Sequence, residues 1–380
     1  MSFVAVDLGA SSTRFVSDPG KISIMPNNMV FLDVEEDVDL DPYDNSIESA
    51  LEVIIRKEGD SDYFPVKALI GQLAERYSSN NERPSVMRNK HTQRINYVSG
   101  IVAVAISKIA CGFHDDVHLY LALPPIETRT AKDIVAEKFK GKYSVEFPKY
   151  RGGIKVDVVV GEVSCFEESF MAILSYFFEI DGKQRESSKQ YLTGNVLSLD
   201  IGASTTDLAV VKNGRYLDKS GQTYKTGGNI ARDYLIDAIR ARYGFDIPSN
   251  DAEITMAEGR VQLGNTYDDV SDIVDDAKSH FARSVVNQMQ GYFRQIDIPI
   301  QTIRAIIVSG GGSMRGQYVD DNGEVIETSK SMSHYITQAL REVCPGVEVE
   351  EYGESPRLAN INGLFIRAKL EATRKSNRSA

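Results

Sequence analysis

At 380 residues the chain is longer than one hydrophobic core usually serves, and its 42% hydrophobic and 26% charged residues match packed globular domains, so two domains are expected and general disorder is not. A formal net charge of −11 speaks against nonspecific attraction of the body to nucleic acid or anionic lipid. Cys111, Cys165 and Cys344 are too scattered for a zinc pattern and suit free thiols in a reducing cytoplasm, the expected location.

The first strand is expected from Phe3, which leaves no room for a signal peptide, and no apolar run approaches the roughly 20 residues that span a bilayer. Residues 3–8 run into a Gly-Ala-Ser-Ser turn and Arg14 to Val16 returns, so the spacing predicts a β-hairpin. Acids crowd the stretch from Asp33 to Asp62, opposed only by Arg56 and Lys57; it reads as a polar, solvent-facing insertion with short strands around Ser49 to Ile55. Asn96 to Cys111 is apolar at helical spacing, and VHLYLALP from Val117 reads as a buried strand closed by Pro124 and Pro125. A further helix comes next. Arg151, Gly152 and Gly153 form the expected tip between strands Tyr143 to Phe147 and Ile154 to Val160, and helical periodicity returns from Glu167 to Phe178 before the polar linker DGKQRESSKQ.

The second half repeats the plan. LSLDIGASTTDLAVV from Leu197 predicts another hairpin with Asp200 in its first strand, then a turn at Asn213 and Gly214, a strand, and TGGNIARDYLIDAIRARYG, a helix opened by glycines. Such repetition suggests duplicated halves. Asp268 to Phe293 is expected as one long helix, leading past Pro299 into RAIIVSGGGSMRG. RLANINGLFIRAKL places Leu358, Ile361, Leu364, Phe365 and Ala368 on one face of a core helix, while Arg367, Lys369, Arg374, Lys375 and Arg378 against Glu371 read as a solvated basic tail.

A hairpin tip rich in glycine and hydroxyl groups offers backbone N–H and Oγ donors to phosphate oxygens. One such tip is weak evidence. Two, each preceded by a strand-borne Asp, suggest loops that face each other across a cleft and hold a triphosphate, with Asp7 and Asp200 converging on Mg²⁺ through its waters. Gly310, Gly311 and Gly312, followed by Ser313 after a buried strand, allow a flat adenine to approach the backbone, and Gly227, Gly228 and Asn229 suit the ribose with a helix start behind them. GxxxxGK[ST] is absent, which excludes a Walker A loop. HDDVH at His114 imitates a helical metal pair but runs into an extended segment, so no metal site is expected there.

DLGASSTRF, DIGASTTD and VSGGGS, in that order, resemble the phosphate-1, phosphate-2 and adenosine motifs of the actin, heat-shock chaperone and sugar-kinase ATPase superfamily over nearly the whole chain. Within it the sequence is most similar to ParM-type plasmid-segregation actins, through FEESFMA before the second hairpin and LANINGLFIRA near the end. The resemblance implies an α/β actin-like ATPase fold of two ribonuclease H-like domains around a nucleotide cleft. Domain I would be residues 1–180, with an inserted subdomain at about 31–95 and the C-terminal helix 356–380; domain II would be 181–355. It further implies Asp7 and Asp200 at the metal, with Gly9, Ala10, Ser11, Ser12, Arg14, Gly202, Ala203, Ser204, Thr205 and Thr206 near phosphates. Glu168 would position the attacking water, with Glu167 as rival, and Asp207 a second water. The implied cofactors are ATP, with GTP open, and Mg²⁺. The implied activity is ATP hydrolysis coupled to head-to-tail filaments that segregate plasmid DNA through a small ParR-type adaptor on a centromere-like site, without direct nucleic-acid or membrane binding. The alternatives are a small-molecule kinase of the same superfamily, or another phage or cytoskeletal bacterial actin.

Overall fold

The computed structural model describes residues 2–17, 21–36, 38, 50–59, 63–77, 81–85, 89–320, 322–353 and 355–379. The chain divides into two compact units, Met1–Lys183 with Asn360–Ala380, and Gln184–Ala359.

The first unit opens with the hairpin of β1 (Ser2–Leu8) and β2 (Ser12–Ser17), in which Asp7 lies opposite Arg14. There follow β3 (Ser23–Pro26), β4 (Met29–Leu32), β5 (Ala50–Lys57), β6 (Val66–Gly71), α1 (Gln72–Tyr77), α2 (Arg94–Cys111) and β7 (Val117–Leu123). Then come α3 (Pro125–Thr130), α4 (Lys132–Phe139), β8 (Gly141–Phe147), β9 (Ile154–Glu167) and α5 (Glu168–Phe177). Among the described residues the strands form one sheet in the order β3-β2-β1-β7-β9-β8-β5-β6-β4, with β7 parallel to both β1 and β9. Helix α2 covers it through Val98, Ile101, Val102 and Ala105, all fully buried. Its 18 residues, of mean hydropathy 1.3, are long and apolar enough to cross a membrane, yet 72% of them are buried, as a core helix requires.

Of the stretch read as a solvent-facing insertion, Asp33, Glu35 and Glu58 are exposed as expected, but the strand within it is not. Strand β5 lies between β6 and β8, and its period-two set Leu51, Val53 and Ile55 is buried. Even Glu52 is buried, paired with Lys67 at 2.9 Å. The strand stands where short strands were expected, but it is a core strand and not a solvent-facing one. The acids between residues 37 and 49 all lie outside the described residues.

The second unit runs β10 (Asn195–Ile201), β11 (Thr206–Lys212), β12 (Arg215–Tyr216), β13 (Gln222–Tyr224), α6 (Asn229–Tyr243), α7 (Ser249–Glu258), β14 (Arg260–Leu263) and β15 (Thr266–Asp269). It continues with α8 (Ser271–Gln295), β16 (Ile303–Ser309), β17 (Gly316–Val319), β18 (Val325–Ser329), α9 (Met332–Arg341) and β19 (Glu348–Glu351). Its main sheet has the order β12-β11-β10-β16-β19, with β10, β16 and β19 parallel. The first unit's β3-β2-β1-β7-β9 has the same order and directions, so the repeated motifs sit at matching places in two copies of one topology. Asn213 and Gly214 both take positive φ, 51° and 71°, as a two-residue hairpin turn demands. The long helix begins at Ser271, not at Asp268: Asp268 and Asp269 belong to β15, and Asp269 Oδ1 accepts the Ser271 N–H at 2.8 Å, satisfying the first amide of α8. The last helix, α10 (Ala359–Ser379), packs in the first unit, where Ile361, Leu364 and Ala368 are fully buried and Phe365 lies 5.7 Å from the Phe3 ring. Leu358 precedes it, in a short 3₁₀ turn.

Lys278 of α8 is buried in the second unit, where Nζ donates to Ser329 Oγ at 2.7 Å, Lys330 O at 2.9 Å and Met314 O at 3.3 Å. Burial lowers its pKa from 10.5 to about 8. The unfolded chain then holds this proton more tightly than the folded one, so stability rises with pH from about 8 toward 10.5 and is lost as pH falls through 8. Between pH 7.5 and 9.5 this single site should add about 2 kcal/mol, and Lys278→Met should flatten the rise. Urea titrations at both pH values check it; an unchanged slope in the variant would refute the assignment. Cys165, whose thiol burial pushes up to about 12, acts in the opposite sense within this window as the free thiol ionises near 9, and Tyr97, Tyr120 and Tyr335, held above their ordinary range by burial, do so above it, so the variant is compared with the parent chain at each pH.

Candidate functional site

In the second unit, Asp200 stands near the end of β10, opposite Asp207 on β11 and beside Ser309 on β16. Both carboxylates are buried, at 6% and 2% exposure. Ser309 Oγ donates to Asp200 Oδ1 at 3.1 Å and Thr223 Oγ1 to Asp207 Oδ1 at 2.6 Å. Two like charges on one sheet face repel, and burial raises the cost, so the pair fits a cation between or beside them.

Three glycine-bearing turns close over this pair. The β10–β11 turn is pinned by the Gly202 N–H to Thr205 O at 2.8 Å. The start of α6 is laced to it: Gly228 N–H donates to Gly202 O at 3.0 Å, Asn229 N–H to Ala203 O at 2.7 Å, and Asn229 Nδ2 to Ser204 Oγ at 2.9 Å. A Cβ on Gly227 would lie 2.6 Å from both Gly202 O and Ser204 N, so only glycine permits this approach. The third turn enters from β16. Gly310, at φ 90°, has no room for a side chain, since a Cβ would sit 2.3 Å from Ile201 O and 2.5 Å from Asp200 Oδ1. Ser313 Oγ donates to Gly310 O at 2.7 Å, and Ala203 and Gly311 stay exposed at the rims. The structure thus brings Gly202 to Thr206, Gly227 to Asn229 and Gly310 to Ser313 together around Asp200. Because the amides of residues 228 to 230 are bound to protein carbonyls, the start of α6 offers an approaching anion its field rather than free N–H groups.

The first unit carries the sister hairpin with one change of sign. Arg14 occupies the place that Asp207 has in the second, and its Nη1 donates to Asp7 Oδ2 at 2.9 Å. Asp7, expected at a metal, therefore has a guanidinium as its cation within this unit. Ser12 lies two residues before Arg14, on the same strand face; its Oγ and Arg14 Nε are buried without a hydrogen-bond partner among the described residues, which suits an oxyanion at the hairpin mouth. Gly9 cannot carry a side chain here, since a Cβ would meet Ser12 O at 2.7 Å, and Asn27 braces the turn by donating Nδ2 to Gly9 O at 2.7 Å. Ala10 and Ser11 complete the tip, with Ser11 exposed.

Glu168 is the first residue of α5, 7% exposed, and its Oε1 accepts from Lys90 Nζ. Glu167 ends β9 opposite Leu123 and is only partly buried. The two neighbours thus have different surroundings: one strand-ended, the other helical and held by a cation. His114 and His118 do not form a pair: the first is exposed in a loop, and the second lies buried on β7, 2.8 Å from Ser164 Oγ, where burial lowers its pKa.

Residues 198–317 match the family model described as archaeal actin homologue MreB-like, C-terminal. The structure is similar to that of the actin-like protein Alp7A, with TM-score 0.74 at 18% identity over 99% of this chain and 98% of the other. It is also similar to a ParM in a 15-stranded filament from Clostridium botulinum (TM-score 0.68, 17% identity, 97% and 99% covered) and to Bacillus thuringiensis ParM with ATP (0.65, 16%, 98% and 99%). No curated protein matches the sequence. The chain has the actin fold.

Within that fold, several residues beside the expected ones had no signal of their own. Ser309 was legible, as the residue before three glycines, but its bond to Asp200 was not. Thr223, Asn27 and Lys90 reach their partners from 16, 18 and 78 residues away, and no local pattern announces such contacts.

Proposed function

We propose that this chain is an actin-like ATPase of the ParM type, assembling head to tail into dynamic filaments with ATP and segregating plasmid DNA in the cytoplasm through a small ParR-type DNA-binding adaptor. The observation that carries the reading is the closure of three glycine turns over the buried Asp200–Asp207 pair. The loops offer oxygens, hydroxyls and backbone close enough for a nucleotide, as phosphoryl transfer by positioning and charge neutralisation requires. Gly310 to Ser313 would receive the base and Gly227 to Asn229 the ribose. Ser12, Arg14 and the turn from Gly202 to Thr206 would take phosphate oxygens.

Asp200, with Asp207 beside it, would hold Mg²⁺ through water; the ion when bound neutralises phosphate charge. Asp7 keeps Arg14 aligned for the phosphates. Glu168 orients the attacking water, and Asp207 a second one. Head-to-tail addition is a heterologous contact that does not close, and therefore grows filaments. Support for the nucleotide and the filament comes from neighbours of the same fold, one a ParM with ATP and one a ParM filament.

Sedimentation of the purified chain with Mg-ATP tests the proposal. Protein should move to the pellet above a threshold concentration and return to the supernatant as ATP is consumed. A chain that stays in the supernatant with every nucleotide, or that makes ADP only when a small-molecule acceptor is added, would refute it and favour a kinase.

A further inference from the structure

We propose that Lys90 is a positioning residue for hydrolysis: it holds the Glu168 carboxylate in one orientation. This rests on the reading of Glu168 as the residue that orients water.

Lys90 opens a 3₁₀ turn, Lys90–Thr92, whose amides are gripped by a buried carboxylate. Glu127 of α3, 4% exposed, accepts the Lys90 N–H at 2.7 Å on Oε1 and the His91 N–H at 3.0 Å on Oε2. The His91 Nδ1 is a further 2.9 Å from Oε2. From the other side, Asn96 Nδ2 donates to Lys90 O at 3.0 Å and Tyr97 Oη to His91 O at 3.0 Å, which ties the turn to α2. Strands β7 and β9 end side by side, Leu123 opposite Glu167, so α3 and α5 start together and bring Glu127 and Glu168 to the two ends of one short backbone segment.

Five hydrogen bonds thus fix the base of a long, rotatable side chain whose ammonium then meets one carboxylate oxygen. Stability does not require this arrangement. A glutamate in the first helical turn is already favoured by the helix field, and buried ion pairs replace well by neutral packing. What the lysine adds is direction. A carboxylate that must present an oxygen to water within a few tenths of an ångström needs its rotamer locked by a second group, itself anchored.

The test compares Lys90→Met, Lys90→Arg, Glu168→Gln and the double variant Lys90→Met/Glu168→Gln in the full chain. Phosphate release, affinity for a fluorescent ATP analogue and the thermal midpoint are measured for each. Lys90→Met should slow phosphate release by about 10- to 100-fold with nucleotide affinity changed less than about threefold, and Lys90→Arg should recover most of the rate. The double variant should be no slower than Glu168→Gln alone, because both changes remove one function. Wild-type hydrolysis in Lys90→Met, or a loss that tracks nucleotide affinity or folded fraction, overturns the inference while leaving Glu168 in place. If Glu168→Gln itself turns over normally, the underlying reading fails, and the inference with it. Should Lys90→Met not fold, Glu127→Gln loosens the turn and keeps the ion pair: slowed release with intact binding supports the role, and an unchanged rate overturns it.

Discussion

Glu168→Ala is expected to slow ATP hydrolysis by about 100- to 1000-fold while nucleotide affinity stays within a few fold, the usual worth of a positioned acid–base group. Such a loss corresponds to about 3–4 kcal/mol of barrier. The reason is local. Glu168 is buried, begins a helix and is engaged by Lys90, so its carboxylate is held in place. Alanine removes the acceptor without crowding anything, and the glycine turns keep their bonds. Filaments formed by the variant with ATP should persist, since hydrolysis is what would dissolve them. Single-turnover phosphate release and pelleting over time measure both. Normal turnover would hand the role to Glu167 or to a residue elsewhere.

Gly363→Ala is expected to lower the thermal midpoint of the chain by about 5–10 °C, given roughly 2–4 °C per kcal/mol for a unit near 200 residues and a net cost of about 2–3 kcal/mol. Gly363 lies within α10, where helix propensity alone favours alanine by about 1 kcal/mol. Packing reverses the sign. A Cβ there would stand 1.9 Å from Met171 O and 2.6 Å from its carbonyl carbon, backbone atoms of α5 that cannot rotate aside. The two helices must separate by more than 1 Å, which unseats Ile361, Leu364 and Ala368. Because α5 begins at Glu168, hydrolysis should fall along with stability. Gly291→Ala supplies the contrast: it too is helical, in α8, but nothing lies within 4 Å of its Cβ site. That change should stabilise by about 0.5–1 kcal/mol. No destabilisation at Gly363 would show that propensity rather than helix contact governs that position, and a destabilisation at Gly291 would refute the reading of its surroundings as open.

Much of the architecture was open to reading because period and punctuation are local. The alternation before each Gly-Ala-Ser turn, the positive-φ pair Asn213-Gly214 and the apolar spacing of α2 are all resolved within a few residues, and the structure has them as hairpin, turn and helix. Errors arose where a local signal had two meanings. Acids around β5 looked like a solvated surface, although Glu52 is neutralised by Lys67 from the neighbouring strand. Asp268 and Asp269 looked like a helix start, although they close a strand whose partner lies on β14.

What the sequence determined by itself was the repeated pair of strand-borne aspartates with glycine turns behind them, since strand order and turn chemistry depend on neighbours along the chain. Only the tertiary structure decided what each aspartate meets. Asp7 faces Arg14, whereas Asp200 faces Asp207 with Ser309 at its side, so one hairpin brings its own cation and the other fits one from outside. It also decided that Lys90 reaches Glu168 across 78 residues. Charge balance at a buried site is set by which side chains arrive through space, and no residue carries that information in its own neighbourhood.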